Sequence, residues 1–207
     1  KGKLWENPQQ LQIKLDSNTS IGHPTLSSDE KILIFSSDLG DGYGGKDLWL
    51  VKREKRNRWS EPINLGPAVN TTGDEMFPFL HPDGTLYFSS DGHIGLGGLD
   101  IYKSTPDGNG AFSSVMNLKC PVNSSGDDFG MVIETNGERG YLTSNRSGGK
   151  GGDDIYQFEL PPLKLFVKGV VTDSKTGGIL TTASIELIGS DGSVVKKNTD
   201  NTGSYEF

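Results

Sequence analysis

Short apolar runs separated by turn-forming residues occur along most of the chain. In the first part, residues 32–35 and 48–51 are such runs, and a polar turn at 27–30 precedes the first of them. Runs of this length, bounded by Gly, Ser, Asn and Asp, are typical of β-strands, whereas amphipathic helices need longer periodic segments. The pattern therefore predicts an all-β protein built from short antiparallel strands.

The order of these runs repeats along the chain. In each copy a glycine-rich stretch separates two apolar runs, and the aspartate that closes the stretch recurs after 53 and then 54 positions. Four short strands in a repeat of about 50 residues are typical of a β-propeller blade. A solenoid of parallel strands is the alternative, but its repeats are usually shorter and lack internal hairpin turns such as residues 82–84. The three stretches are 36–49, 89–102 and 143–156, and their closing aspartates are Asp47, Asp100 and Asp154.

The first residues of the chain resemble the end of a repeat. The sequence Trp5-Glu6-Asn7-Pro8 matches Trp59-Ser60-Glu61-Pro62 at an offset of 54 positions. Apolar residues at 11, 13 and 15 alternate with polar ones, which predicts a short, half-buried strand. We therefore expect residues 1–159 to form a partial propeller of about three blades plus the end of another, with further blades before Lys1.

A second domain is expected after the propeller. Residues 160–162 contain two prolines, which continue neither a strand ladder nor a helix, so they predict a linker. Residues 163–207 then show short strands and turns of a different pattern. These strands are too few to bury a core, which predicts a truncated domain.

The composition of the chain argues against some classes of partner and site. The formal net charge is −7, which argues against nucleic acid, because phosphate binding needs a basic surface. The single cysteine, Cys120, excludes an intrachain disulfide, and no apolar run approaches the roughly 18 residues of a membrane span.

The loop aspartates raise the question of a metal site. Asp38, Asp41 and Asp47 could place carboxylate oxygens on a calcium ion, but the acidic set changes from copy to copy. The competing interpretation is structural, with each carboxylate accepting hydrogen bonds from loop amides and hydroxyls. We favour that role for Asp47, Asp100 and Asp154 and predict no metal, cofactor or catalytic residue.

Other chemically active residues do not form recognisable motifs. The three histidines fall at different repeat positions, and Cys120 has no base or oxyanion site near it in sequence. The glycine stretches lack the Gly-Lys-Ser/Thr frame of a nucleotide loop. The aromatic residue two positions after each loop aspartate is expected to pack between blades. These residues are Trp49, Tyr102 and Tyr156, and the histidines are His23, His81 and His93.

A specific site should lie where the repeat copies differ. Features that every copy shares are required by the architecture, so a contact with one partner would use residues that break the repeat. We expect the partner-contact positions in the glycine-rich loops to be Asp41, Tyr43, His93, Ile94, Arg146 and Lys150.

The repeat motifs resemble a known family. The loop Gly42-Tyr43-Gly44-Gly45-Lys46-Asp47-Leu48-Trp49, followed by Trp59-Ser60-Glu61-Pro62 and by Asn70-Thr71-Thr72-Gly73-Asp74-Glu75, is similar to TolB-type, WD-like propeller repeats of cell-envelope proteins. In Bacteroidetes these repeats are common in OmpA-family proteins. The tail, from Val167-Lys168-Gly169-Val170-Val171 to Ser204-Tyr205-Glu206-Phe207, resembles a carboxypeptidase regulatory-like domain, a transthyretin-like sandwich.

This combination resembles the middle of the PorE family of the type IX secretion system. The resemblance implies a non-catalytic periplasmic scaffold associated with the outer membrane, whose partners are outer-membrane or periplasmic proteins of a secretion or gliding machine. Peptidoglycan would be bound through a domain outside this sequence. The alternatives are a glycan-binding module or an accessory domain of a propeller glycosidase or peptidase.

Overall fold

A computed structural model of the chain describes residues 7–8, 10–13, 18–54, 58–160, 165–190 and 192–207. The chain folds as two compact units, Lys1–Leu160 and Pro161–Phe207. The described residues contain strands and turns but no helix, so the prediction of an all-β protein is confirmed. No helix capable of crossing a membrane occurs in this described part of the chain.

The first unit contains three antiparallel sheets, which we call the first, second and third blades. The first two have four strands in sequential order, as predicted, and the third has three among the described residues. The first blade comprises β1 (Ile21–Leu26), β2 (Ile32–Ser37), β3 (Asp47–Lys52) and β4 (Ile63–Asn64). The second comprises β5 (Glu75–Leu80), β6 (Leu86–Ser90), β7 (Asp100–Pro106) and β8 (Phe112–Asn117), and the third β9 (Asp128–Ile133), β10 (Arg139–Ser144) and β11 (Asp154–Glu159).

Neighbouring blades pack through apolar side chains. Because side chains alternate across a strand, Ile34 and Leu48 face the second blade, where they join the buried Leu86 and Phe88. A fully buried side chain of this size stabilises the fold by about 1.5–3 kcal/mol. A similar cluster, which includes the buried Ile101, joins the second blade to the third.

The aromatic residues after the loop aspartates were expected to pack between blades, and the outcome differs from blade to blade. Tyr102 lies in the cluster between the first two blades, and Tyr156 packs against the cluster between the second and third. Trp49 is buried on the opposite side of the first blade, beside Leu33 and Phe35. These aromatic side chains therefore serve the core.

An irregularity recurs in the first strand of each blade. The pairing register shifts between Gly22 and Thr25, and equivalent shifts occur in β5 and β9. His23 and Phe77 have positive φ angles of 50° and 52°, a conformation that side chains of this size rarely adopt. Their rings stack with centroids 3.9 Å apart, so the bulge places an aromatic stack along these strands.

The strand predicted near the start of the chain is wrong for residues 10–13, which belong to no strand. Ile13 packs against the cluster that contains Leu33 and Trp49, and Leu11 lines a cavity beside the first blade. The alternation of apolar residues therefore reflects packing rather than strand pairing. The rest of that prediction lies outside the described residues, at Trp5, Glu6 and residue 15. The two prolines of the predicted linker also lie outside them.

The second unit has two separate two-stranded antiparallel sheets. β12 (Lys168–Val170) pairs with β15 (Ser204–Glu206), and β13 (Ser184–Ile188) pairs with β14 (Val194–Asn198). The transthyretin-like sandwich stays a prediction for this unit.

The turn before β2 is closed by a carboxylate. The hydroxyl of Ser27 donates a hydrogen bond to Asp29 Oδ1 at 2.7 Å, and Lys31 Nζ lies 3.0 Å from Asp29 Oδ2. These donors, Ser27 first, lower the pKa of Asp29 from 3.8 to about 2. Because a lowered carboxyl pKa stabilises the folded state above the unfolded value, this contribution is lost as the pH falls from 3.8 through about 2.

Replacing Ser27 with alanine will raise the pKa of Asp29 toward 3.8, because the largest cause of the shift is removed. NMR titration of the Asp29 carboxyl carbon measures the change. Ser28→Ala, at the neighbouring position, is the matched control and will leave the pKa near its lowered value. An Asp29 titration midpoint that is the same in both variants contradicts this assignment.

Candidate functional site

The three glycine-rich stretches lie on one face of the first unit. Each joins the second and third strands of a blade. The first two loops contact the connector that leads into the next blade, and the third loop contacts the connector that leads into its own blade. Gly45 N donates to Gly73 O at 2.9 Å, and Asn145 N donates to Asp127 O at 3.1 Å. We call this surface the loop face, formed by the glycine loops 38–46, 91–99 and 145–153 with the connectors 65–74 and 118–127.

Close backbone approach explains why glycine recurs in these loops. A Cβ atom at Gly44 would collide with the carbonyl oxygen of Thr71, and one at Gly97 would collide with that of Gly126. The first two loops therefore lie flat against the connectors, and only residues without this constraint can carry a side chain there, whereas Gly151 and Gly152 of the third loop have room for one.

The loop aspartates bind the backbone of the loop apex. In every copy the carboxylate accepts a hydrogen bond from the amide of the residue four positions earlier, which immediately precedes two glycines. The amide donors are Tyr43 to Asp47 at 2.7 Å, Leu96 to Asp100, and Lys150 to Asp154 at 2.6 Å. The apex backbone is thus held in the same way while its side chain varies among aromatic, aliphatic and cationic.

A second set of polar ties joins each loop to the connector. Asp74 Oδ1 accepts from the amide of Lys46 at 2.7 Å, and Asp127 Oδ1 accepts from that of Leu99 at 2.9 Å. The amide of Asp74 in turn donates to Asp91 Oδ1 at 2.7 Å. Each of these hydrogen bonds links one blade to the next. Together with the bonds of the loop aspartates they form a hydrogen-bonded frame, which determines the relative positions of the loops.

Buried asparagines complete the frame. Asn70 accepts from the amide of Leu48 at 2.8 Å and donates to its carbonyl at 3.0 Å. Asn123 makes the same two bonds to Ile101, at 2.8 and 2.9 Å. Sequence reasoning missed this role, although the recurrence of Asn70 after 53 positions as Asn123 was a visible signal.

Two buried acidic residues lie beneath the loop face. Glu75 and Asp128 occupy equivalent positions and are both wholly buried. Glu75 Oε1 accepts from the hydroxyls of Thr71 and Ser90 at 2.7 and 2.6 Å. Asp128 accepts from the hydroxyl of Ser124 at 2.8 Å and lies 2.6 Å from the guanidinium of Arg146, so the third copy adds a cation to a neutral donor.

Four of the six predicted contact residues display their side chains on the loop face. Asp41 and Lys150 are exposed, Tyr43 is half exposed, and Ile94 is 97% exposed. Leu96, which sequence reasoning did not select, is also half exposed. Its position, 53 residues after Tyr43, identifies it as the apex residue of the second loop.

The other two predicted residues point inward. His93 Nε2 donates to the carbonyl of Val69 at 2.8 Å, and its ring lies against Phe88 and Tyr102. The Arg146 guanidinium donates to the carbonyls of Pro121 and Val122 at 3.0 and 2.6 Å and stacks over Tyr156. Both side chains therefore stabilise the contact between a glycine loop and the preceding connector.

The described residues contain no group of three or more His, Cys, Asp or Glu side chains able to hold a metal ion. A cavity of about 670 Å³ lies between the first two blades at the end opposite the glycine loops, and Asp29 is the one carboxylate among its described lining residues. Glycoside hydrolysis normally requires two.

Two further residues with chemically active side chains, His81 and Cys120, lie apart from the loop aspartates. His81 Nε2 donates to the carbonyl of Glu134 at 3.1 Å, and its Nδ1 is 2.9 Å from Asp83 Oδ1. Cys120 is exposed as a free thiol. Neither residue joins the loop aspartates.

Comparison with known proteins identifies the fold of the chain. No protein-family model matches it. No curated protein matches it either. A solved structure assigned as TolB from Agrobacterium tumefaciens is similar over 97% of this chain and 78% of that chain, with a TM-score of 0.52 and 13% sequence identity. This similarity supports the TolB-like β-propeller fold that the repeats predict.

Two enzyme structures are more distant. An α-L-arabinofuranosidase from Lactobacillus brevis matches 73% of this chain and 56% of that chain, with a TM-score of 0.41 and 12% identity. A puromycin hydrolase variant matches 84% of this chain and 32% of that chain, with a TM-score of 0.34 and 12% identity.

Proposed function

We propose that this chain is a non-catalytic scaffold of the bacterial periplasm that binds partner proteins through its loop face. The observation that carries the proposal is that the backbone of each loop apex is held in the same way, whereas the side chains displayed there differ. Loop aspartates hold the apex amides in all three copies, while the displayed side chains differ. A rigid backbone that presents varied side chains reduces the entropy lost on binding.

The displayed chemistry suits a protein partner. Ile94, Leu96 and Tyr43 place aliphatic and aromatic surface in water, where an isolated domain gains nothing from it. Asp41 in the first loop and Lys150 in the third add one charge of each sign to the loop face. Aromatic and aliphatic anchors with surrounding polar groups are the usual composition of an interface.

The setting that we propose comes from the sequence resemblance. The TolB-type repeats and the carboxypeptidase regulatory-like tail support a scaffold near the outer membrane, in a type IX secretion or gliding complex. Peptidoglycan attachment would be made by a domain outside this sequence. The net charge of −7 supports protein partners over nucleic acid.

The proposal is tested by placing a photo-crosslinking amino acid at Tyr43, Leu96 or Lys150 and irradiating cells that express the protein. Asn109 is the matched control, because it is exposed in a turn at the other end of the second blade. We expect defined protein adducts from the loop positions and none from Asn109. Adducts from Asn109 alone, or from no position, would contradict a protein-binding loop face.

Glycan binding is a second candidate because Tyr43 presents a half-exposed ring at a loop apex. Calorimetric titration with peptidoglycan fragments distinguishes the two functions. Heat of binding that disappears in Tyr43→Ala, together with no protein adducts, would favour the glycan. No heat, together with adducts from the loop positions, would favour the protein scaffold.

A further inference from the structure

An apolar cavity lies between the first and second blades, at the end of the first unit opposite the glycine loops. Its volume of about 670 Å³ is within the range of about 300–1,000 Å³ that small-molecule pockets occupy. Most of its wall is aliphatic, and Phe112 is the one Phe, Tyr or Trp among the described lining residues. The Ile and Leu side chains of the wall are Ile32, Ile34, Leu50, Ile63, Leu65 and Leu80. The cavity therefore has the size and the lining of a ligand site.

The cavity occurs where the repeat copies differ. By strand pairing, Ile34 of β2 is equivalent to Tyr87 of β6, and Leu50 of β3 is equivalent to Lys103 of β7. Tyrosine and lysine have longer side chains, and Tyr87 packs against the cluster that joins the second blade to the third. The shorter, apolar residues of the first blade thus create a space that the repeat itself does not require.

One end of the cavity carries a cation. Lys52 opposes Ile32 in the pairing of β2 with β3, and the amide of Ser27 donates to the carbonyl of Ile32 at 2.8 Å. Lys52 and the turn at residues 27–30 therefore lie together at this end of the first blade. Because side chains alternate along a strand and Leu50 faces the second blade, Lys52 lies on the same side of β3. Its exposed side chain is thus part of the cavity mouth.

The positive charge of Lys52 is available to a ligand. Among the described residues Lys52 forms no salt bridge, whereas Asp29, which also lines the cavity, lies 3.0 Å from Lys31 Nζ. The lining residue His81 lies 2.9 Å from Asp83 Oδ1. A single ammonium group complements a singly charged carboxylate, whereas phosphate groups are usually bound by an arginine fork or a cluster of cations.

We propose that the cavity binds an aliphatic monocarboxylate such as a fatty acid, with its hydrocarbon chain between the two blades and its carboxylate at Lys52. The walls favour a flexible chain, because a planar aromatic ligand would find only the ring of Phe112 to stack on among the described lining residues. Ser28 lies at the same end, where its hydroxyl can donate to the carboxylate. The site is at the opposite end from the loop face, so both can be occupied together.

Calorimetric titration of the full chain with hexanoate, octanoate and decanoate tests the proposal, each ligand being kept below the concentration at which it forms micelles. We expect the affinity to rise about fourfold for each added methylene that the walls remove from water. Decanoate will also raise the unfolding temperature, because a ligand that binds only the folded state stabilises it. A detergent effect would lower that temperature.

A charge reversal tests the contact with the carboxylate. Lys52→Glu will weaken decanoate binding at least about tenfold, because repulsion replaces attraction. The same variant will bind decylammonium, the cation with the same chain length, more tightly than the wild type does. Lys175→Glu is the matched control, since Lys175 is exposed and does not line the cavity, and it will leave both affinities unchanged.

A larger side chain in the wall tests the site of the hydrocarbon chain. Ala111 lines the cavity and is exposed, so Ala111→Trp will fill space without removing a buried contact, and the dependence of affinity on chain length will disappear. Ser113→Trp is the matched control, at an exposed position of β8 outside the lining. Without ligand, both variants should unfold at the wild-type temperature.

Three results would overturn the proposal. The first is that no alkanoate binds, or that all three bind equally. The second is decanoate binding that both Lys52→Glu and Ala111→Trp leave intact. The third is binding of a peptide that ends in an aliphatic residue without binding of alkanoates, which would assign the cavity to the C-terminus of a protein.

Discussion

Replacing Arg146 with alanine will lower the free energy of unfolding of the first unit by about 3–5 kcal/mol, the usual cost of leaving a buried charge without its partner. Asp128 is wholly buried, and the Arg146 guanidinium is its cation at 2.6 Å. The same guanidinium satisfies the carbonyls of Pro121 and Val122. Chemical denaturation of the full chain measures the loss.

Arg139→Ala is the matched control for this variant. Arg139 makes an exposed ion pair with Glu134 at 2.8 Å, and exposed pairs contribute about 0–1 kcal/mol. Adding Asp128→Asn to the Arg146→Ala variant removes the unpaired charge and will recover part of the lost stability. Equal losses for Arg146→Ala and Arg139→Ala would show that Arg146 does not stabilise the buried acid.

The strands of the first unit were predictable because their pattern is local. Residues 32–35 and 48–51 are short apolar runs between turn signals, and both lie in strands. The alternation at residues 11 and 13 has the same local appearance but a different cause, since these side chains pack against the first blade without pairing. Sequence alternation reports burial on one side, and only tertiary contacts distinguish a strand from a connector.

For the candidate site, the sequence predicted which loop positions vary but not the direction of their side chains. Comparison of the repeat copies identified where the loops differ, because a repeat-breaking residue is visible in sequence. It did not show which of those side chains point outward. Arg146 turns inward because its long side chain reaches carbonyls 24 and 25 positions away, and His93 does so because Val69 offers a carbonyl from the preceding connector. Such contacts depend on the packing of one blade on the next.

The frame also explains how loop variation is tolerated. In the first two loops the apex backbone is held from both sides, by the loop aspartate and by the connector, and in the third loop the aspartate holds it. A change at Tyr43, Leu96 or Lys150 therefore alters the loop face without removing a bond that supports it. A change in the asparagines beneath the loops has the opposite consequence.

Asn123→Ala will destabilise the first unit by about 1–3 kcal/mol, because it leaves the buried amide of Ile101 without its acceptor. The carbonyl of Ile101 loses Asn123 as a donor but keeps the amide of Leu118 at 3.1 Å. Asn70→Ala removes the same two bonds to Leu48 in the first blade and should have a similar cost. Agreement between the two variants would show that the effect belongs to the repeated frame. Thermal and chemical denaturation measure both.

Asn109→Ala is the control, since Asn109 is exposed and its side chain makes none of these frame contacts; its cost should stay within about 0.5 kcal/mol. Asn123→Asp keeps an acceptor for the Ile101 amide but loses the donor to the carbonyl, and it buries a charge, so it will recover none of the stability. If Asn123→Ala and Asn70→Ala matched Asn109→Ala, water or backbone rearrangement would be satisfying those groups. The asparagines would then not hold the loop face, and the rigidity on which the proposed display depends would need another source.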